Sequence, residues 1–140
     1  MKTLIVGVSG SGKTTEALRI AWSHVVENRR VVFASAEATI DYVDDLLSRN
    51  VDDYREELLG DTLRFLKVNF DLTRNDVENI ENAFGKFQAD VLILDAADGL
   101  GIFKDFEEVY QTLQVVNINA IDIESIKSNL GVDEVIVCGR

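Results

Sequence analysis

The sequence predicts an α/β domain with a central, mainly parallel sheet of about six strands and helices on both faces. Three observations carry this. Short apolar runs of strand length recur, such as Val91-Leu92-Ile93-Leu94, and unbroken apolar strands belong to sheets covered on both sides. Between them lie stretches whose apolar residues repeat at helical spacing. A glycine-rich segment joins the first run to the first such stretch. Strands alternating with helices build parallel sheets.

The elements follow in order. Thr3–Val6 is a short apolar strand. A helix over Thr14–Asn28 sets Ala17, Leu18, Ala21, Val25 and Val26 on one stripe, and Asn28-Arg29-Arg30 forms the turn into a strand at Val31–Ala36. Ile40, Val43, Leu46 and Leu47 mark a second helix, and Leu63–Phe70 a third strand. Thr73 is placed as an N-cap with Asp76 three residues on, close to a capping box. Val77, Ile80, Phe84 and Phe87 then form a helical stripe, and Val91–Leu94 a buried strand. A helix from about Lys104 to Leu113 is expected from Phe106, Val109, Tyr110 and Leu113, and a fifth strand at Val115–Ile118. Ile123, Ile126 and Leu130 suggest a last helix, and Val135–Val137 a last strand. Numbered along the chain, the expected strand order is 3-2-4-5-1-6.

Residues 1–140 read as one domain without repeat, linker or proline. Hydrophobic residues make up 46% and charged residues 28%, an ordinary globular balance. Cys138 is the one cysteine, so no internal disulfide forms and a cytoplasmic location is expected. No apolar run nears the ~20 residues of a membrane span. Leu4-Ile5-Val6 after Lys2 is too short for a leader and runs into the glycine-rich segment, so it reads as a strand. The net charge of −11 is read as an aid to solubility and disfavours tight nucleic-acid binding by the isolated chain. The acidic run Asp41, Asp44, Asp45, Asp52, Asp53, Glu56 and Glu57 reads as a solvated face or the docking face of a basic partner. His24 has no Cys or His companion and is not expected to hold a metal; Trp22 is expected in the core or at a subunit contact.

The strongest chemical signal is Gly7-Val8-Ser9-Gly10-Ser11-Gly12-Lys13-Thr14, which satisfies G-x-x-x-x-G-K-[ST] between a strand and a helix. Glycines let the backbone wrap a phosphate chain with its N–H groups, and the helix start adds a positive dipole end. The expected nucleotide-binding residues are Gly7, Ser9, Gly10, Ser11, Gly12, Lys13, Thr14 and Thr15. Lys13 would sit on the β and γ phosphates, and the Thr14 hydroxyl on Mg²⁺. Asp95, which ends an apolar strand about eighty residues later, is the second expected Mg²⁺ ligand. Asp98 is either a rival ligand or a loop cap. Glu37, after the second strand, is either the general base for water or a cap of the next helix. No guanine-specifying Asn-Lys-x-Asp motif occurs, which favours ATP.

The order of these motifs resembles the RecA superfamily, in particular the DnaB-type helicases and the KaiC-like ATPases. Phe33-Ala34-Ser35-Ala36-Glu37 resembles their strand with its catalytic glutamate, and Leu92-Ile93-Leu94-Asp95 their magnesium-aspartate strand. Val115-Val116-Asn117-Ile118-Asn119 is similar to the next strand, and Val132–Val137 to the one after it. The resemblance implies a RecA-like P-loop NTPase with ATP and Mg²⁺ as ligands and Lys13, Glu37 and Asp95 as catalytic residues. The family's γ-phosphate sensor is commonly Gln, so Asn119 or Asn117 would have to serve here. The stretch between Asn119 and Asp122 is too short for the family's DNA-binding loops, and the helicases continue beyond the position of Arg140. The expectation is a minimal ATPase core, slow alone, serving DNA replication, recombination or repair through assembly or a protein partner. Arg140 is either a cation supplied to a neighbour's site or a solvated terminal residue. A small-molecule kinase and a nucleotide-gated interaction module are the rival readings. A kinase lid would carry arginines, and the segment 99–112 has only Lys104 as a cation.

Overall fold

The computed structural model describes residues 1–139; the expectation for Arg140 lies outside the described residues. The described residues form a six-stranded, all-parallel sheet with four α-helices. In chain order these are β1 (Lys2–Gly7), α1 (Lys13–Val25), β2 (Val31–Ser35), α2 (Ile40–Asn50), β3 (Leu63–Lys67), α3 (Arg74–Phe87), β4 (Val91–Asp95), β5 (Val109–Gln114), α4 (Ile123–Leu130) and β6 (Glu134–Val137). The strand order is β3-β2-β4-β5-β1-β6, as expected from the sequence.

Alternation along the strands splits the core in two. Ile5, Phe33, Ile93 and Tyr110 face the layer holding Ala17, Leu18 and Trp22 of α1 and Val43 and Leu47 of α2. Leu4, Val6, Val32, Leu92, Leu94 and Val109 face Ile80 and Phe87 of α3, with Ile126 of α4 packed at the margin. Successive strand side chains point to opposite faces, so runs apolar at every position are what a sheet covered on both sides requires. Trp22 is a core residue, 1% exposed, with its ring edge against Tyr54. The capping box at Thr73 and Asp76 is complete. Val26 falls outside the α1 stripe: the helix ends at Val25 and Val26 is half exposed.

The third strand ends at Lys67, not at Phe70, and a larger departure follows β4. Residues 101–108 form turns and bends, not a helix, and the fifth strand is Val109–Gln114 rather than Val115–Ile118. The spacing of Phe106, Val109, Tyr110 and Leu113 mimics a helical stripe. In the structure the strand sends Val109 and Tyr110 to opposite faces. β5 lies between β1 and β4, pairing parallel with both. The role foreseen for the fifth strand is thus kept while its position shifts.

Candidate functional site

The carboxyl ends of the parallel strands meet the start of α1 in a cleft of about 460 Å³, within the usual range for ligand pockets. It is lined from the Gly7–Thr14 loop by Ser9, Gly10, Gly12, Lys13 and Thr14, and next to them by Thr15 of α1. Glu37 after β2, Tyr42 of α2, Asp95 at the end of β4, Asp98 just beyond it, and Gln111, Thr112 and Gln114 of β5 complete the polar lining. Gly7 and Ser11 from the expected set build the turn rather than its wall. A Cβ on Gly7 would stand 2.1 Å from Ser11 Oγ and 3.1 Å from Lys13 Cγ, so a larger residue there would displace the Ser11 hydroxyl and crowd the Lys13 stem. Gly10 and Gly12 take positive φ of 76° and 88°, the conformation glycine adopts without strain.

Helix α1 opens on Gly12 with no side-chain cap. Its first-turn N–H groups are therefore free of side-chain partners at the edge of the cleft, the arrangement that favours an anion at a helix start. Lys13 adds an ammonium group, which donates from Nζ to Val8 O at 2.9 Å, within its own loop. Ser11 Oγ is buried and has no hydrogen-bond partner among the described residues.

Asp95 is 1% exposed and ends β4. Three hydroxyls surround its carboxylate. Thr14 Oγ1 lies 3.0 Å from Oδ1 and 3.2 Å from Oδ2. Ser35 donates to Oδ2 at 2.8 Å, and Thr112 to Oδ1 at 3.2 Å. The next residue, Ala96, has a positive φ of 53°, unusual for a residue with a Cβ, and its N–H donates to Thr112 Oγ1 at 2.8 Å. An aspartate with this many hydroxyl donors is held in one orientation, aimed at the start of α1.

Glu37 is exposed and lies on the cleft wall two residues beyond β2. It does not cap α2: that position belongs to Thr39, whose side chain accepts the Tyr42 N–H. Asp98 behaves as a loop anchor. Its N–H donates to Phe70 O at 3.2 Å, and Gln111 Nε2 reaches its Oδ1 at 3.4 Å. Gln111 Oε1 in turn accepts the N–H groups of Gly99 and Leu100, at 3.1 and 2.9 Å. The Thr14 hydroxyl sits on Asp95, not on Asp98.

Asn117 and Asn119 are not at the end of a strand. Asn117 precedes a short 3₁₀ turn, Ile118–Ala120, and accepts the Asn119 N–H with its own side chain. The residue that ends β5 is Gln114, opposite Gly7 in register and on the cleft wall. Ser35, Thr112, Gln111, Tyr42 and Phe70 also escaped the sequence reading. Three of them are polar residues in or beside apolar strands, which is itself a signal.

His24 belongs to a separate group at the opposite end of the sheet. Its Nδ1 lies 3.0 Å from Arg29 and its Nε2 3.2 Å from the Tyr110 hydroxyl. Arg29 pairs with Glu108 at 2.6 Å, and Tyr110 donates to the same carboxylate at 2.9 Å. Burial, with Arg29 adding to it, holds the His24 pKa below its usual value against the opposing pull of Glu108. Burial alone would raise the Glu108 carboxyl, but hydrogen bonds from Arg29 and Tyr110 keep it low.

Among the described residues no group of three or more His, Cys, Asp or Glu side chains is placed to hold a metal by itself, and no helix is long and apolar enough to cross a membrane. Comparison with protein-family models and with curated proteins finds no match.

Proposed function

We propose that the chain is a RecA-like P-loop ATPase that binds ATP with Mg²⁺ on the Gly7–Thr14 loop and hydrolyses it slowly. The observation that carries this is the Thr14–Asp95 contact beneath an uncapped helix start. The loop alone suits many anions; the buried carboxylate on the hydroxyl is the added feature that suits a phosphate-bound cation.

The donor set fits Mg²⁺. Thr14 Oγ1 and the Asp95 carboxylate are hard oxygen ligands, 3.0 Å apart at the nearest atoms. Mg²⁺ keeps several waters and takes only one or two protein oxygens beside substrate phosphates. When bound, the ion offsets charge on the β and γ phosphates. Thr14 and Asp95 would hold it, and Ser35 and Thr112 would keep Asp95 oriented. The loop and helix-start N–H groups would cradle the phosphate chain, with Lys13 leaving Val8 O for the β and γ oxygens. Gln114, not Asn117 or Asn119, would contact the γ-phosphate. Glu37 would accept the proton of the attacking water as its oxygen bonds to the γ-phosphorus and the bridging oxygen leaves with ADP.

Phosphate release from ATP, with and without Mg²⁺ and with and without single-stranded DNA, tests this reading. Mg²⁺-dependent release supports it, and no release under any condition leaves at most a binder. A second reading, phosphoryl transfer to a small acceptor, has one observation in its favour. The groove at Glu37 runs into a second cleft of about 370 Å³ lined by Lys67, Asn69 and Phe70. Steady phosphate release from ATP alone, at a rate no added acceptor changes, contradicts that alternative.

A further inference from the structure

Ser35 is the last residue of β2 and is fully buried. Its hydroxyl faces two ways. It donates to Asp95 Oδ2 at 2.8 Å and accepts the N–H groups of Glu37 at 3.2 Å and Ala38 at 2.9 Å. A serine hydroxyl has one donor and two acceptor positions, so its capacity is used in full. Glu37 lies in the connection between β2 and α2 and is exposed. Where its carboxylate sits therefore depends on how this backbone is pinned. A second pin is the Ala36 N–H on Asp95 O at 3.0 Å.

Thr112 makes the instructive comparison. It too donates to the Asp95 carboxylate, and it accepts one backbone N–H, that of Ala96. The two hydroxyls share a carboxylate but hold different segments. Thr112 fixes the chain just after Asp95, whereas Ser35 fixes the segment that carries Glu37.

We propose that Ser35 is a positioning residue that couples the metal-side carboxylate Asp95 to the water-side carboxylate Glu37, so that the two halves of the cleft are set in register. This rests on the ATPase reading above. A serine that only stiffened Asp95 would act as Thr112 does. A serine that places Glu37 acts on the chemical step as well.

The experiment compares Ser35→Ala with Thr112→Ala, each checked for folding by thermal unfolding. Backbone amide exchange is followed by NMR without nucleotide, and Mg²⁺-ATP affinity and kcat are measured on the same samples. The Glu37 and Ala38 amides should exchange faster in Ser35→Ala and not in Thr112→Ala. The kcat of Ser35→Ala should fall about 10–100-fold, the scale seen when a residue that orients a ligand is lost, while its Mg²⁺-ATP affinity matches that of Thr112→Ala. If Ser35→Ala does not fold, Ser35→Cys keeps the size with a weaker donor and acceptor and should show the same pattern. Unchanged exchange at Glu37 and Ala38, or equal kcat losses in the two alanine variants, overturns the proposal. A parent protein that neither binds nor hydrolyses Mg²⁺-ATP is a different failure. It removes the ATPase reading, leaves Ser35 a structural tie only, and overturns the proposal with it.

Discussion

The Thr14 hydroxyl lies 3.0 Å from one carboxylate oxygen of Asp95 and 3.2 Å from the other, across 81 residues of sequence. The strand order explains the meeting. β1 and β4 flank β5 in parallel, so the loop after β1 and the aspartate ending β4 emerge at the same edge of the sheet. Ligands of open parallel sheets gather at that edge.

Asp95→Asn keeps a hydrogen-bond acceptor for the surrounding hydroxyls but removes the charge. Mg²⁺ should then no longer strengthen ATP binding. Titrations with Mg²⁺ and with a chelator check this: the parent should bind ATP more tightly with Mg²⁺, and the variant should bind alike in both. An unchanged Mg²⁺ effect would point to Asp98 or to another ligand.

Glu37→Gln should leave ATP affinity near that of the parent and lower the hydrolysis rate by about 10²–10⁴-fold, the usual loss on removing a general base. With Thr39 established as the cap of α2, helix capping no longer explains a glutamate here. Equal turnover in the two proteins would favour an interaction module or a different base.

Acid should destabilise the fold in two stages. Folded His24 binds its proton more weakly than the unfolded chain does, so protonation favours unfolding. Stability is lost as pH falls below about 6.5 toward the lowered folded value. Glu108 is held low by Arg29 and Tyr110 against its burial, and Asp76 by hydrogen bonds from Thr73 and Asn69 against its own. Their contributions are present above about 4.5 and are lost as pH falls from there through their folded values. The Tm of the parent should therefore begin to drop as pH falls below about 7 and drop again below about 4.5. His24→Gln should flatten the first stage only; identical profiles would contradict the assignment.

The isolated chain should not bind nucleic acid tightly. Asp41, Asp45, Asp52, Asp53, Glu56 and Glu57 are exposed on the α2 side, and the net charge is −11. Anisotropy of a labelled oligonucleotide near physiological salt, where charges are screened over about 8 Å, should show no submicromolar binding. Salt-sensitive binding below that concentration would reveal a basic groove.

Most of the sheet was legible because unbroken apolar strands have few alternatives. Val31–Ser35 and Val91–Asp95 announce themselves, and the Gly7–Thr14 loop fixes where β1 ends. β5 was not legible for a physical reason. Its sequence, Val109 to Gln114, carries Gln111 and Thr112 in buried positions because those side chains serve the cleft, holding the loop after β4 and the Asp95 carboxylate. That interrupts the apolar pattern, while Phe106, Val109, Tyr110 and Leu113 counterfeit a helix. Lys13, Thr14 and Asp95 were readable from motif and order. Ser35 stands out only as a small polar residue in an apolar strand; its role is set by partners from elsewhere in the fold, the Asp95 carboxylate and the Glu37 and Ala38 N–H groups.

The central claim is that the Gly7–Thr14 loop holds the phosphates of ATP, and Lys13 is its most direct probe. Lys13 Nζ rests on Val8 O within the loop, so Lys13→Ala leaves the fold free of a buried unpaired charge. Titration of a fluorescent ATP analogue into parent and variant, with Mg²⁺ present, is the measurement. The variant should bind more weakly by about 1.5–3 kcal/mol, roughly ten- to a hundredfold, the worth of a hydrogen bond to a charged group. Equal affinity in the two proteins, or no binding by the parent, would contradict the account.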